Sequence, residues 1–288
     1  MLKQNLTNHF IFVLDASGSM SSFEQDVVKA MDEQVANLVQ MSKQLDQETR
    51  ISVYTFDYAN NIKNVVFDMD VMRYSTIAGQ YKPDGYTALL DAIGKAYDDS
   101  KTISQLYTEH AFVIMVITDG AENASKRFNR LYPLGFVNMI KNSADNVTFS
   151  AMVPNDGCLK AMVSYGFDQG NVAIWEVSEK GIEEQTKVIA QSLGGYMTQR
   201  STTGLKKSSN LFQVNADKLT QTDVRKAAQV LPITDFTKLY VDASVAPKTW
   251  ISDYVESKLG SYKLGKAYYQ LVKPEKIQPQ KNINVRVS

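Results

Sequence analysis

Cysteine is almost missing from this chain of 288 residues: Cys158 stands alone. A disulfide within the chain is therefore excluded, and the composition fits a reducing compartment. Charge of one sign is also missing. Lysines and arginines equal aspartates and glutamates at 31 each, so the total points neither to nucleic acid nor to a membrane surface. Long hydrophobic runs are absent. The opening "MLKQNLTNHF" is polar, and the apolar run after it is about five residues, too short for a signal-peptide core or a bilayer span. The expectation is a soluble, cytoplasmic protein. Histidine is scarce, with only His9 and His110. Internal repeats and low-complexity tracts are not found.

Apolar side chains are plentiful, at 44% of residues, enough for a substantial core and too many for a disordered chain. The length suits one large domain with a smaller appendage. "HFIFVLD" (9–15) and "AFVIMVITDG" (111–120) read as strands buried on both faces. "ISVYTF" (51–56), "IKNVVF" (62–67), "VTFSAMV" (147–153) and "VAIWEV" (172–177) read as four more. Helical periodicity runs from Phe23 to Leu45, with a capping box expected at Ser21/Glu24 or Ser22/Gln25. A second helix is expected after Thr87. The order β-α-β-β-α-β-α-β-α-β-α predicts an α/β fold: a doubly wound, mostly parallel sheet with helices on both faces. We expect this domain over 1–200, a linker over 201–210 ("STTGLKKSSN"), and a small α+β extension over 211–288 that docks or self-associates.

Both strongly apolar strands end in an aspartate. "FIFVLDASGSM" (10–20) carries Asp15, Ser17 and Ser19, and "ITDG" carries Asp119. In a doubly wound sheet, ligands bind beyond the carboxyl ends of the strands, where strand order reverses. If the two strands are neighbours there, Asp15 and Asp119 face one crevice. The hydroxyls of Ser17 and Ser19, one residue apart, can turn to the same point. Thr87, ahead of a helix, can add a third. These are hard oxygen donors that suit Mg²⁺, Mn²⁺ or Ca²⁺ and disfavour zinc or copper. The competing reading is a polar turn with capping hydroxyls.

"DASGSM", Thr87 and "ITDG" together closely resemble the metal-ion-dependent adhesion site of von Willebrand factor type A domains, whose motif is D-x-S-x-S, a distant Thr and a distant Asp. The resemblance covers about residues 5–200. It implies that Asp15, Ser17, Ser19, Thr87 and Asp119 hold Mg²⁺ in a protein-binding module, with the partner's carboxylate completing the metal shell. It also implies an intracellular bacterial or phage type, working beside an AAA+ ATPase or within an assembly. The tail resembles no family.

Other chemistries fit less well. An aspartyl-nucleophile phosphatase needs a second acid where Ser17 stands. A P-loop needs a lysine after its glycine, which "DASGSM" lacks. A serine hydrolase needs a base, yet His9 and His110 open their strands and lie roughly 20 Å from the crevice at ~3.3 Å per residue. A metal-dependent hydrolase is the last choice, and we expect no enzyme. Asp57, Glu122 and Asn123 are read as solvated rim residues and Cys158 as a half-buried structural thiol. The alternative function is that of an assembly subunit, possibly phage-encoded, that self-associates through a basic tail. Residues 258–288 hold seven basic residues against Glu275, while residues 1–100 hold fourteen acidic against eight basic.

Overall fold

The structure is a computed structural model and describes residues 6–105, 109–128 and 133–212. The chain divides into two units, Met1–Val214 and Asn215–Ser288, and every described residue belongs to the first. The expected extension over 211–288 therefore lies, beyond Phe212, outside the described residues.

Six strands form one sheet in the order β3-β2-β1-β4-β5-β6. They are β1 (Leu6–Asp15), β2 (Glu48–Phe56), β3 (Ile62–Asp70), β4 (Glu109–Ile117), β5 (Val147–Val153) and β6 (Val172–Ile174). All pairings are parallel except β2 with β3. The helices are α1 (Glu24–Leu45), α2 (Leu89–Ser100), α3 (Leu134–Lys141), α4 (Asp156–Ser164) and α5 (Glu179–Thr203). Element order and fold class agree with the sequence reading. Strand order reverses between β1 and β4, so Leu14 pairs with Ile117, and the two aspartates that follow leave the sheet side by side.

The near-continuous apolar run of β1 has its reason in this placement. Phe10, Phe12 and Leu14 face α1 and α5; Ile11 and Val13 face α2 and its neighbours. Alternate residues of a strand point to opposite faces, and here both faces are covered. The β6 expectation was too long. Strand pairing stops at Ile174 because Trp175 turns inward: its indole N–H donates to Thr118 O at 2.9 Å. Ser178 then caps α5 by accepting from Gly181 N–H.

The expected capping box at the start of α1 is not formed. Residues Gly18–Phe23 make a 3-10 turn, and the Ser21 hydroxyl donates back to Gly18 O at 2.7 Å. The loop thus folds on itself before the helix begins.

Residues 201–210, expected as a linker, are built into the domain. Residues 201–203 complete α5. Gly204, at φ +70°, ends the helix in the left-handed conformation that costs glycine little. The strap that follows crosses the amino ends of β4, β5 and β6. Arg200, 1% exposed, donates to Leu205 O and Glu109 O at 2.9 and 2.7 Å. Ser208 N–H donates to Thr148 Oγ1, Asn171 donates to Ser208 O, and Leu211 N–H donates to Asn171 Oδ1. A small, polar, non-periodic sequence is compatible with a linker, but its backbone groups are hydrogen-bonded to the domain. We expect Arg200→Ala to destabilise the protein by about 3 kcal/mol, through two orphaned carbonyls and an unfilled space. Urea unfolding measures this, and a loss below about 1 kcal/mol would show that Arg200 does not secure the strap.

Candidate metal centre

Asp15 ends β1 with 1% of its surface exposed. Oδ1 accepts from Ser17 N–H at 2.8 Å, and Oδ2 accepts from the Thr118 hydroxyl. Thr118 in turn accepts from Gly120 N–H at 3.1 Å. Asp15 is therefore latched to the loop that carries Asp119. Burial pushes the Asp15 carboxyl up to about 6; the bonds from Thr118 and Ser17 pull it down, and the Asp119 charge pushes it up further.

The Ser17 and Ser19 hydroxyls lie 3.1 Å apart, as the one-residue spacing led us to expect. Their loop is held from the far side by the β3–α2 connection. Gly18 N–H donates to Gly85 O at 3.2 Å, Asp84 N–H to Ala16 O at 2.8 Å, and the Tyr81 phenol to Asp15 O at 2.6 Å. Burial, with Asp15 and then Asp119 nearby, holds the Tyr81 phenol far above its ordinary value.

Thr87 is buried. Its N–H donates to Asn123 Oδ1 at 2.9 Å, and its carbonyl accepts from Asn123 and Ala124. Its hydroxyl does not cap α2: Ala88 stands at the cap position without a side-chain cap, and the Leu90 and Asp91 amides go to Glu122 and Ser125. A Cβ placed on Gly120 would stand 3.7 Å from Thr87 Oγ1, so this hydroxyl faces the residue next to Asp119. Asp119 itself supplies the decisive atom. Its Oδ1 is buried and has no hydrogen-bond partner among the described residues, a state that costs about 1–3 kcal/mol or more for a charged oxygen.

The sequence matches no family model and no curated protein. Among solved structures, the chain is similar to the pilus adhesin SpaC from Lactobacillus rhamnosus GG in its open conformation. The TM-score is 0.52 at 11% identity, over 68% of this chain and 31% of that one. A von Willebrand factor type A structure from Catenulispora acidiphila gives 0.41 at 13% identity, over 67% of this chain and 43% of that one. Proximal thread matrix protein 1 from the mussel byssus, with a zinc-occupied MIDAS motif, gives 0.43 at 16% identity, over 65% and 46%. This chain thus spans less than half of each of those proteins. The likeness to SpaC is one of fold: an α/β domain over about two thirds of this chain.

Within that fold the five sequence-selected residues stand at one end of the sheet. The Asp119 charge reaches Asp15, the Ser17 hydroxyl next to Asp15 meets that of Ser19, and Thr87 faces Gly120. Among the described residues no three His, Cys, Asp or Glu side chains converge, so any ion here relies on hydroxyls. Two carboxylates, one with an unsatisfied buried oxygen, and three hydroxyls fit a hard divalent ion.

Two of the three rim residues, Asp57 and Glu122, differ from their sequence reading, while Asn123 is exposed as expected. Asp57 is buried and accepts from Tyr58 N–H and from Asn61 Nδ2. Glu122 is buried and accepts from the N–H groups of Leu90, Ala124 and Ser125 and from the Ser125 hydroxyl. Asn123 positions Thr87, as above. Asp91, which the sequence did not single out, accepts from Lys126, Arg127 and Phe128 N–H. Glu122 and Asp91 together tie the Asp119 loop to the start of α2, behind Thr87. We expect Glu122→Gln to cost about 2–3 kcal/mol, since an amide keeps one acceptor oxygen of the two. Chemical denaturation checks this; a change within ~0.5 kcal/mol would mean the loop has another anchor.

Cys158 is half-buried at the start of α4 and burial raises its thiol pKa, which keeps it in the unreactive form. The histidines sit at the opposite end of the sheet. They are more than strand-end residues: His9 Nε2 and His110 Nδ1 are 2.8 Å apart, and His9 Nδ1 is 3.2 Å from Asp68 Oδ1. Burial, then the neighbouring His9, lowers the His110 pKa. No helix of the described residues is long and apolar enough to cross a membrane.

Proposed function

We propose that this chain is a divalent-metal-dependent protein-binding module, with Asp15, Ser17, Ser19, Thr87 and Asp119 holding Mg²⁺ and a protein partner adding a carboxylate. The observation that carries this reading is the buried, unpartnered Oδ1 of Asp119 beside the buried carboxylate of Asp15. A buried carboxylate oxygen without a hydrogen-bond donor among the described residues, next to a second carboxylate, calls for a cation. When bound, the ion supplies positive charge with room for an external oxygen ligand. The chain's own residues do the positioning. Asp15 is fixed by Ser17 and Thr118, Asp119 is tied to it through the Thr118–Gly120 turn, and Thr87 is set by Asn123.

We read the site as binding rather than catalytic, because both histidines of the chain lie at the far end of the sheet. Thr87→Ala and Ser19→Ala should fold normally yet bind Mn²⁺ at least about tenfold more weakly, by isothermal titration, since each loses an oxygen ligand. A partner captured by the wild type in Mg²⁺ should be released by EDTA, and metal and partner should raise each other's affinity by the same factor. A partner that stays bound in EDTA would assign recognition to another surface.

A further inference from the structure

Two tyrosines break the polar character of the rim. Tyr86, directly before Thr87, is 59% exposed, and Tyr58 is 38% exposed. Their rings meet edge to face, centroids 5.2 Å apart at 75°. Exposed aromatic side chains of this size, paired on one rim, are a common mark of contact surfaces.

These rings are built into the same support as the serine pair. Tyr58 lies flat on Gly85: a Cβ there would stand 2.1 Å from its Cε2, and Gly85 adopts φ +75°. Any side chain at 85 would displace the ring, so the glycine is required. The Gly85 carbonyl accepts from Gly18 N–H, between Ser17 and Ser19. One peptide therefore carries the aromatic pair on one side and the metal-site loop on the other. Consecutive Cα atoms are about 3.8 Å apart, so a partner residue adjacent to a carboxylate held beside Thr87 is within reach of Tyr86.

The chemistry of that adjacent residue follows from charge. A charged side chain there would give up hydration beside a divalent ion whose charge Asp15 and Asp119 already balance. Lys82 and Asp84, exposed on the same loop, oppose each other in sign and offer no net field. An apolar side chain meets no such penalty and removes tyrosine surface from water. Resting on the metal-site reading above, we infer that the partner is a protein segment whose metal-binding carboxylate is flanked by apolar side chains, which pack on Tyr86 and Tyr58.

The test uses the full chain loaded with Mn²⁺ and three blocked tripeptides, Leu-Asp-Leu, Gly-Asp-Gly and Lys-Asp-Lys. Water-proton relaxation reports Mn²⁺ binding to the protein and its loss of water as a carboxylate enters. We expect Leu-Asp-Leu to act at about five- to tenfold lower concentration than Gly-Asp-Gly, with Lys-Asp-Lys weakest. Tyr86→Ala should erase the preference for leucine while Mn²⁺ binding persists, and Tyr86→Phe should keep it. Equal titration by the leucine and glycine peptides, or a preference for lysine, would overturn the inference while leaving the metal site standing. Failure of the wild type to bind Mn²⁺ would remove the metal-site reading, and this inference with it.

Discussion

Millimolar Mg²⁺ or Mn²⁺ should raise the melting temperature by about 5–10 °C over the same protein in EDTA. An ion at 100 times its dissociation constant contributes about 2.7 kcal/mol, and about 1 kcal/mol moves a domain of this size by 2–4 °C. Asp119→Asn should abolish the gain. That variant separates loss of the ion from loss of the fold. The amide keeps the shape of the side chain but removes the charge that acts on Asp15. In EDTA the variant should therefore be at least as stable as the wild type, because one of two facing charges is gone. In Mg²⁺ it should be the less stable of the two. Calorimetry of both proteins in both buffers gives the four numbers needed. Equal wild-type melting points in EDTA and Mg²⁺ would sink the metal-site reading.

The second large effect is on pH. Without metal, burial raises the Asp15 carboxyl to about 6 in the folded protein, against an ordinary value of 3.8. Between those values the folded state holds a proton that the unfolded state has released. Stability therefore falls as pH rises through this window, by about 3 kcal/mol at full extent. The contribution is present below the unfolded value and gone above the folded one. A bound divalent ion substitutes for that proton, and its ligands must be deprotonated to accept it. The gain from Mg²⁺ should accordingly be small near pH 4.5 and complete near pH 7, by about the same 3 kcal/mol. Asp15→Asn should flatten the metal-free profile. A Mg²⁺ gain that is constant across this range would mean that Asp15 is ionised throughout and that burial does not govern it.

Much of the fold was legible because its signals are local. Strands covered on both faces carry unbroken apolar runs, as β1 does from Phe10 to Leu14 and β4 from Ala111 to Ile117. Helices covered on one face repeat every three to four residues, as α1 does from Val27 to Leu38. The position of Asp15 at a strand end, beside the serine pair, was legible for a related reason. A strand that runs apolar to its last residue and ends in aspartate places a charge at a buried edge, and neighbouring hydroxyls at short spacing add donors to it.

What the sequence could not show were the carboxylates that serve the backbone. Asp91 and Glu122 each accept several amide hydrogens from a loop about thirty residues away along the chain or from its own turn. Thr118 is the nearest to a missed signal, since "ITDG" holds it directly before Asp119. Its role, however, depends on Asp15 arriving from a strand more than a hundred residues earlier. Residues 201–210 were read as a linker for the same cause. Polar, non-periodic residues have the same composition whether water or the domain satisfies their backbone.

By itself, the sequence determined the layered α/β architecture, because burial pattern is a property of single segments. Tertiary structure alone decided that β1 and β4 are adjacent, that Asp119 keeps an oxygen without a partner among the described residues, and that Tyr58 and Tyr86 share the Gly85 support with the serine loop. Those facts depend on which segments meet, and a hydrogen bond or its absence belongs to a pair of groups rather than to either one.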